Sequence, residues 1–292
     1  MTIATDDNMH RPSLPSANEI TGPTPGQQLR RRIFGHHGLL FGGAILGLIF
    51  VIALSAPLLA PHDPYAQSLL ARLKPPVWLG GTWTHPFGTD GLGRDYLSRL
   101  MYGAQISLLI GFAAAFISGI IGTALGVAAG YFGGKVDLVV TFLITVRLSM
   151  PVVLVALAVV ALVGGSLEVV IGVLGLLLWD RFAVVMRAAT MQIRQMDYVA
   201  AARAVGCSTP RILMTEIMPN IVNNLIVVAT LEMAHAILLE AALSFLGMGV
   251  QPPQPSWGLM VSEGKDHMLF EAWLITIPGV ALFMMVLAIN LM

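Results

Sequence analysis

The apolar positions of the chain gather into six long runs, near 39–60, 104–130, 138–163, 168–187, 220–246 and 273–292, with polar stretches between them. About 20 apolar residues make a helix that crosses about 30 Å of hydrocarbon, so each run predicts a membrane-spanning helix. Glycine and proline inside the runs do not argue against this in a membrane bundle. The first run follows Arg30, Arg31 and Arg32 and ends near Leu54-Ser-Ala-Pro57, small residues of the kind found at a signal-peptide cleavage site. Its length of about 20 residues exceeds the roughly 7–15 of a signal-peptide core, which favours a retained first span. Residues 1–28 are rich in Pro, Ser, Thr, Asn and Gly and predict a disordered leader. The expected organisation is a leader over 1–35, a first helix with its following segment over 36–103, and a five-helix core over 104–292.

One polar stretch has an internal pattern of its own. Asp197-Tyr-Val-Ala-Ala-Ala-Arg-Ala-Val-Gly206-Cys-Ser-Thr-Pro-Arg211 is followed by Ile-Leu-Met-Thr-Glu-Ile-Met-Pro219-Asn220. Ala200, Ala201, Ala202 and Ala204 are strong helix formers, and Gly206 supplies a stop with φ > 0. Ser208 is placed to cap a second short helix with Pro210 in its first turn, before the chain re-enters the membrane at Pro219. The alanine face is small and smooth, and Arg203 and Arg211 supply polar anchors. A plain connector needs neither two helices nor a glycine hinge, so the element reads as a docking site for something soluble. Amphipathic interfacial helices have other uses, and the connector reading stays open.

Lysine and arginine set the expected orientation. With the N-terminus inside, nine of the sixteen cations fall on inner segments and five on outer ones, while Arg147 and Arg181 lie within or near spans. Six spans then place the C-terminus inside as well. The outer segment 61–103 carries Pro61, Pro64, Pro75, Pro76 and Pro86, which forbid a continuous helix, and Trp78 and Trp83, which suit an interface. A second outer stretch, 247–272, holds Gln251-Pro-Pro-Gln-Pro-Ser-Trp257-Gly and a short polar helix.

Composition narrows the class. Hydrophobic residues make up 56% of the chain and charged residues 11%, well below the quarter or so of a soluble domain. The net charge is zero, which argues against a nucleic-acid partner. The single cysteine, Cys207, permits neither an intrachain disulfide nor a cysteine metal cluster.

Several constellations invite chemistry and are weighed against packing. Gly122, Gly126, Gly130 and Gly134 recur every four residues, as do Gly43 and Gly47, which predicts a close helix–helix seam within the bundle or with a second subunit. Gly130-Tyr-Phe-Gly-Gly-Lys135-Val136 fails as a phosphate loop, because Ala129 and Val136 stand where glycine and Ser/Thr are needed. Glu232-Met-Ala-His235 is a single Glu-x-x-His pair where a di-iron bundle needs two, so no metal site is expected. Glu232, His235, Glu240 and Ser244 are candidates to line a water-filled path, or else to bond to neighbouring helices, since ionisable groups at mid-bilayer cost roughly 2.5–3.5 kcal/mol on insertion scales. Asp180 and Arg181 read as a structural ion pair, with each other or with a neighbouring helix. No Gly-x-Ser-x-Gly elbow or His-Glu-x-x-His helix is present, so no catalytic residue is assigned.

With these residues in view, the chain resembles the permease subunits of ABC importers, closest to the C-type subunit of the dipeptide/oligopeptide/nickel group. Ala201-Ala202, Gly206 and Pro219-Asn220 are similar to that family's cytoplasmic coupling motif. Ala56-Pro-Leu-Leu-Ala-Pro61-His-Asp-Pro64-Tyr, His85-Pro-Phe-Gly-Thr-Asp90-Gly-Leu-Gly-Arg94-Asp95 and Ala241-Ala-Leu-Ser-Phe-Leu-Gly247 with Pro252-Pro253 and Trp257-Gly258 resemble its other signatures, in the same order. Ala200 and Glu216 depart from the motif, which has Glu and His there. Relatives continue past Asn290-Leu-Met292 with a short polar tail, so a truncated or omitted tail is expected.

The resemblance implies an all-α polytopic membrane protein of six helices with the type I importer permease fold, both termini cytoplasmic, in a bacterial inner membrane. It implies a second permease subunit in a heterodimer, two ATP-binding subunits, and a periplasmic or lipid-anchored substrate-binding protein. ATP and Mg would sit on the partners, with no cofactor on this chain. The coupling loop would be 188–219, with contacts from Tyr198, Ala201, Ala202, Arg203, Gly206, Ser208, Pro210 and Arg211. Asp90, Arg94, Asp95 and Trp257 would face the binding protein. Peptides come first among cargoes, with nickel chelates, glutathione and haem as options. A proton-coupled secondary transporter using Glu232, His235 and Glu240 is the alternative.

Overall fold

The computed structural model describes residues 35–292, so the expected leader and its arginine triplet lie outside the described residues. Helices and the loops that join them make up the described residues, with no strand beyond an isolated bridge between Thr89 and Asp95. Helix α1 spans His37–Leu59 and α2 spans Tyr96–Phe132. They are followed by α3 (Gly134–Leu148), α4 (Val152–Val163), α5 (Leu167–Leu177) and α6 (Trp179–Arg194). Then come α7 (Asp197–Ala204), α8 (Thr209–Ile212), α9 (Met218–Phe245), α10 (Trp257–Lys265) and α11 (Trp273–Leu291). Five helical stretches are long and apolar enough to cross a membrane, and six if α3 and α4 count as one bent span.

Four boundaries differ from the hydropathy reading, the simplest being the fourth span, which runs on to Arg194 and does not end near 187. The second span begins at Tyr96, not 104, because Asp95 caps it, its carboxylate accepting the Ser98 N–H at 2.8 Å. At about 1.5 Å per residue this helix is roughly 55 Å long, well beyond a hydrocarbon core. The expected single span 138–163 is broken: α3 and α4 meet at 83° around Ser149-Met150-Pro151. Pro151 has no N–H to continue the α3 ladder and instead stands at the N-cap of α4. The last difference is at Pro219, where a re-entry break is expected and none occurs. A π-helical turn, Leu213–Ile217, joins α8 to α9, and Pro219 falls in the first turn of α9. The wider turn shifts the ladder register where the proline lacks its donor, so the helix runs on unbroken.

The glycine stripe is a seam inside the chain. A Cβ on Gly122 would sit 2.2 Å from the Trp179 carbonyl oxygen, on Gly126 2.5 Å from that of Ala183, and on Gly130 2.7 Å from that of Arg187. Each step of four along α2 meets a step of four along α6, so the two backbones touch along more than two turns. Gly134 has open space and is not part of the seam. A Cβ on Gly43 or Gly47 meets nothing within 4 Å, so this pair is not a seam inside the chain, and it is Gly42 that meets α11, at the Ala288 carbonyl oxygen.

Connectivity fixes two ends of the bundle. The segments 60–95 and 246–272 lie at the start of α2 and the end of α9. The α7–α8 region lies at the other end, packed on Val127 and Tyr131 of α2.

Candidate functional site

The α7–α8 element is held from beneath and open on top. Val199, Ile212 and Ile217 are fully buried against Met186 of α6 and the end of α2. The Arg203 guanidinium lies 5.2 Å from the Tyr131 ring centre, a cation–π contact that ties α7 to α2. Helix α7 closes in a Schellman motif: the Cys207 N–H donates to the Ala202 carbonyl and the Gly206 N–H to the Arg203 carbonyl, both at 3.0 Å. Gly206 occupies the left-handed position that this closure needs, with φ +85°. The reading of Gly206 as a φ > 0 stop is therefore met by the backbone.

Most of the predicted coupling residues are exposed, namely Tyr198, Ala201, Arg203, Gly206, Ser208, Pro210 and Arg211. Ala202 is half-buried, its carbonyl closing the helix. Ser208 stands at the N-cap of α8 but its side chain makes no capping bond, against expectation. Pro210, at the second helical position, lacks one of the N–H groups such a cap would accept. Val205 was not singled out from sequence. It is 85% exposed at the tip, a β-branched apolar residue directly before the glycine. Ala200, one of the two departures from the motif, is also exposed, while the Glu216 carboxylate accepts the Thr215 hydroxyl at 3.1 Å.

At the opposite end, Asp90, Arg94, Asp95 and Trp257 are each 2–3% exposed, which corrects the expectation that they face a partner. Their side chains are engaged internally. Asp90 accepts from Arg94 Nε at 2.6 Å and from Arg99, and Glu263 of α10 accepts from Arg94 at 3.0 Å and from Arg99 at 2.6 Å. Two carboxylates and two guanidiniums thus knit the segment before α2 to α10. Glu263 was missed because it lies 164 residues from Arg99 and no local pattern links them. The Trp257 indole donates to the Leu100 carbonyl at 2.8 Å and packs on Gly103.

Burial pushes the Asp90 carboxyl up, but the Arg99 and Arg94 guanidiniums and the backbone N–H groups of Arg94 and Leu92 outweigh it and hold it below the usual carboxylate range. A carboxyl lowered on folding contributes stability that is complete above its unfolded value and is lost as pH falls through the folded one. Thermal unfolding of the purified protein should therefore lose stability on the acid side, below the ordinary carboxylate range. Asp90→Asn should lower the midpoint at pH 7 and flatten that acid limb. An unchanged acid limb in the variant would refute this assignment.

The path candidates divide into two groups. Glu232 is buried and accepts from Arg181 at 3.1 Å and lies 3.3 Å from His235 Nδ1, and the Arg181 side chain is 58% exposed. Asp180 and Arg181 do not pair with each other: Asp180 lies 3.7 Å from Arg147. Glu240 and Ser244 lie apart in a sealed spot, where Glu240 accepts from Ser244 at 2.7 Å and Ser256 at 2.8 Å. With Glu240 and Ser244 at 0% and 2% exposure, these two do not line an opening within this chain, which corrects that part of the expectation. Sequence spacing predicts no metal site, yet the fold brings His62, His85 and Asp95 together.

Residues 122–292 match the model of the binding-protein-dependent transport system inner membrane component family, and residues 24–76 that of the N-terminal TM domain of oligopeptide transport permease C. The chain is 40% identical over 271 residues to the di/tripeptide transport system permease protein DppC of Pseudomonas aeruginosa, covering 92% of this chain and 89% of that one. It is 39% identical to the dipeptide transport system permease protein DppC of Haemophilus influenzae (86% and 87% covered) and 33% identical to the glutathione transport system permease protein GsiD of Pectobacterium atrosepticum (96% and 92%). Its fold is similar to a chain of the MetNI methionine ABC transporter in an inward-facing conformation, with a TM-score of 0.55 at 17% identity over 65% of this chain and 91% of that one. With the family model covering more than half of the sequence and relatives aligned over nearly all of it, the chain belongs to the binding-protein-dependent transport system inner membrane components, the permease subunits of ABC importers.

Proposed function

We propose that the chain forms one half of the translocation pathway of an ATP-driven importer of short peptides in a bacterial inner membrane, with the α7–Gly206–α8 element seated in a cytoplasmic ATPase. The observation that carries this is an element fixed by fully buried anchors yet exposed along its helix–glycine–helix surface. Such a surface transmits force only if a partner covers it, and ATP hydrolysis in this family belongs to separate subunits. ATP and Mg sit on two such ATPases, and this chain binds no cofactor. A second, non-identical permease completes the pathway, and a substrate-binding protein meets the opposite end. Arg181 and His235 form the polar stretch that faces the pathway, with the buried Glu232 holding both from beneath. The named cargoes of the relatives are di- and tripeptides and glutathione, which share a short peptide backbone. ATPase closure biases the bundle between inward and outward openings by binding one state more tightly.

The family placement favours this reading over the proton-coupled alternative, and the sealed setting of Glu240 agrees with that. Proteoliposomes holding both permeases, both ATPases and the binding protein should take up labelled dipeptide only with internal ATP. Collapsing the proton gradient with an ionophore should leave the rate unchanged. Uptake that follows the gradient at constant ATP would sink the proposal.

A further inference from the structure

At the end of the bundle away from α7, three side chains from the one segment that joins α1 to α2 converge. His62 follows α1, His85 lies in the segment before α2, and Asp95 caps α2. The His85 and His62 Nδ1 atoms lie 2.8 and 3.5 Å from Asp95 Oδ1, and one ligand atom from each residue falls within 4.8 Å of the others. The Asp95 carboxylate is almost fully buried, whereas His62 keeps one edge open to solvent. We propose that His62, His85 and Asp95 form a binding site for a divalent first-row transition metal ion of the zinc class, with a fourth position open to water.

Three features support a ligand set over a hydrogen-bonded pair with a bystander. The His62 Nδ1 atom is buried and has no hydrogen-bond partner, so a polar atom aimed into the cluster is left without a function there. Two ligands on a tetrahedral zinc at ~2.1 Å stand about 3.4 Å apart, which matches His62 and Asp95, and the His85 contact has only to open by roughly 0.6 Å. The groups around the ligands are also ordered for the task. Ser98 donates its hydroxyl to Asp95 Oδ2 at 2.7 Å, its N–H donates to the same oxygen at 2.8 Å, and its Oγ accepts the His62 backbone N–H at 3.1 Å. One serine therefore fixes the free oxygen of Asp95 and the position of His62 together, as outer-shell partners of metal ligands do. Two imidazoles and a carboxylate are a borderline donor set suited to zinc and its neighbours and poorly suited to Ca²⁺ or Mg²⁺. A bound ion would reinforce the link between the end of α1 and the start of α2 that the His62 N–H already makes with Ser98 Oγ.

The test uses the full chain copurified with its partner subunits, without a polyhistidine tag, stripped with EDTA and titrated with ZnCl₂ against a chromophoric zinc indicator. One equivalent per chain should bind in the micromolar range or tighter, and zinc should raise the thermal midpoint. His62→Ala should abolish that step and the midpoint shift. Because the His62 side chain makes no hydrogen bond, this variant should copurify as well as the wild type and match its midpoint without zinc. Ser98→Ala should weaken zinc ~10–100-fold. Absence of a zinc step in the wild type, or zinc binding unchanged by His62→Ala, would overturn the site.

Discussion

Gly126→Val should abolish recovery of the folded chain, while Gly43→Val should leave it intact. Both glycines sit inside apolar helices, and both belong to a four-residue glycine repeat. At Gly126 a Cβ would lie 2.5 Å from the Ala183 carbonyl oxygen and 2.9 Å from the Met186 Cβ, whereas at Gly43 nothing lies within 4 Å. A flexible side chain can swing away from a new methyl group, but the carbonyl of α6 cannot. Relief requires α2 and α6 to separate, and separation at one step loosens the steps at Gly122 and Gly130 too. Overpacking costs ~1–3 kcal/mol in cores able to adjust, and a backbone-on-backbone seam belongs at or above the upper end, roughly a hundredfold in the folded ratio. Gly126→Ala should fall between, because its single methyl still meets the carbonyl while helix propensity improves. Monodisperse protein recovered in mild detergent measures the series. Equal recovery of Gly126→Val and Gly43→Val would refute the seam.

This seam marks how far the sequence could be read. Four-residue glycine spacing reveals a flat helix face, since only periodicity is needed for that. It does not reveal the facing helix, because Trp179, Ala183 and Arg187 contribute backbone oxygens and any residue type could do so. The same limit explains the reading of Gly43 and Gly47, whose neighbour Gly42 makes the contact. Hydropathy located the spans and blurred their ends. Windows of apolar character cannot register a cap such as Asp95, a single proline that bends a span by 83°, or a π turn that carries a helix past Pro219.

The proposed docking surface was more legible than the buried clusters. Helix α7, its glycine stop and the exposed tip are local, set by alanine propensity and the left-handed preference of one residue. The Asp90–Arg94–Arg99–Glu263 network and the His62–His85–Asp95 group join residues far apart in sequence. Asp90, Arg94 and Asp95 were expected to face a partner because the resemblance places them in an outer signature. In the fold their partners are Glu263, Arg99, His85 and Ser98.

Gly206→Val should reduce ATP-dependent uptake about 30-fold while leaving membrane insertion and subunit copurification intact. The effect is conformational, because a Cβ at Gly206 would meet nothing within 4 Å and there is no clash to repack. The cost lies in the backbone. A φ of +85° is a strained state for an L residue, and most strained for a β-branched one, at ~2 kcal/mol within the usual 1–3. That strain falls on the closure of α7 through Ala202 and Arg203, and its relief turns the exposed tip away from its docking geometry. A 2 kcal/mol bias against the docking-competent loop lowers its population roughly 30-fold. The anchors Val199, Ile212 and Ile217 remain buried, which is why the bundle should assemble. Gly206→Asn, with its tolerance of left-handed backbone, should retain most uptake, and Gly206→Ala should lie between. The order Asn above Ala above Val is the signature of a backbone requirement, since side-chain size alone would place Ala first. Uptake and ATPase rates measured together in proteoliposomes decide the point, and wild-type uptake with valine at 206 would show that the hinge does not carry force.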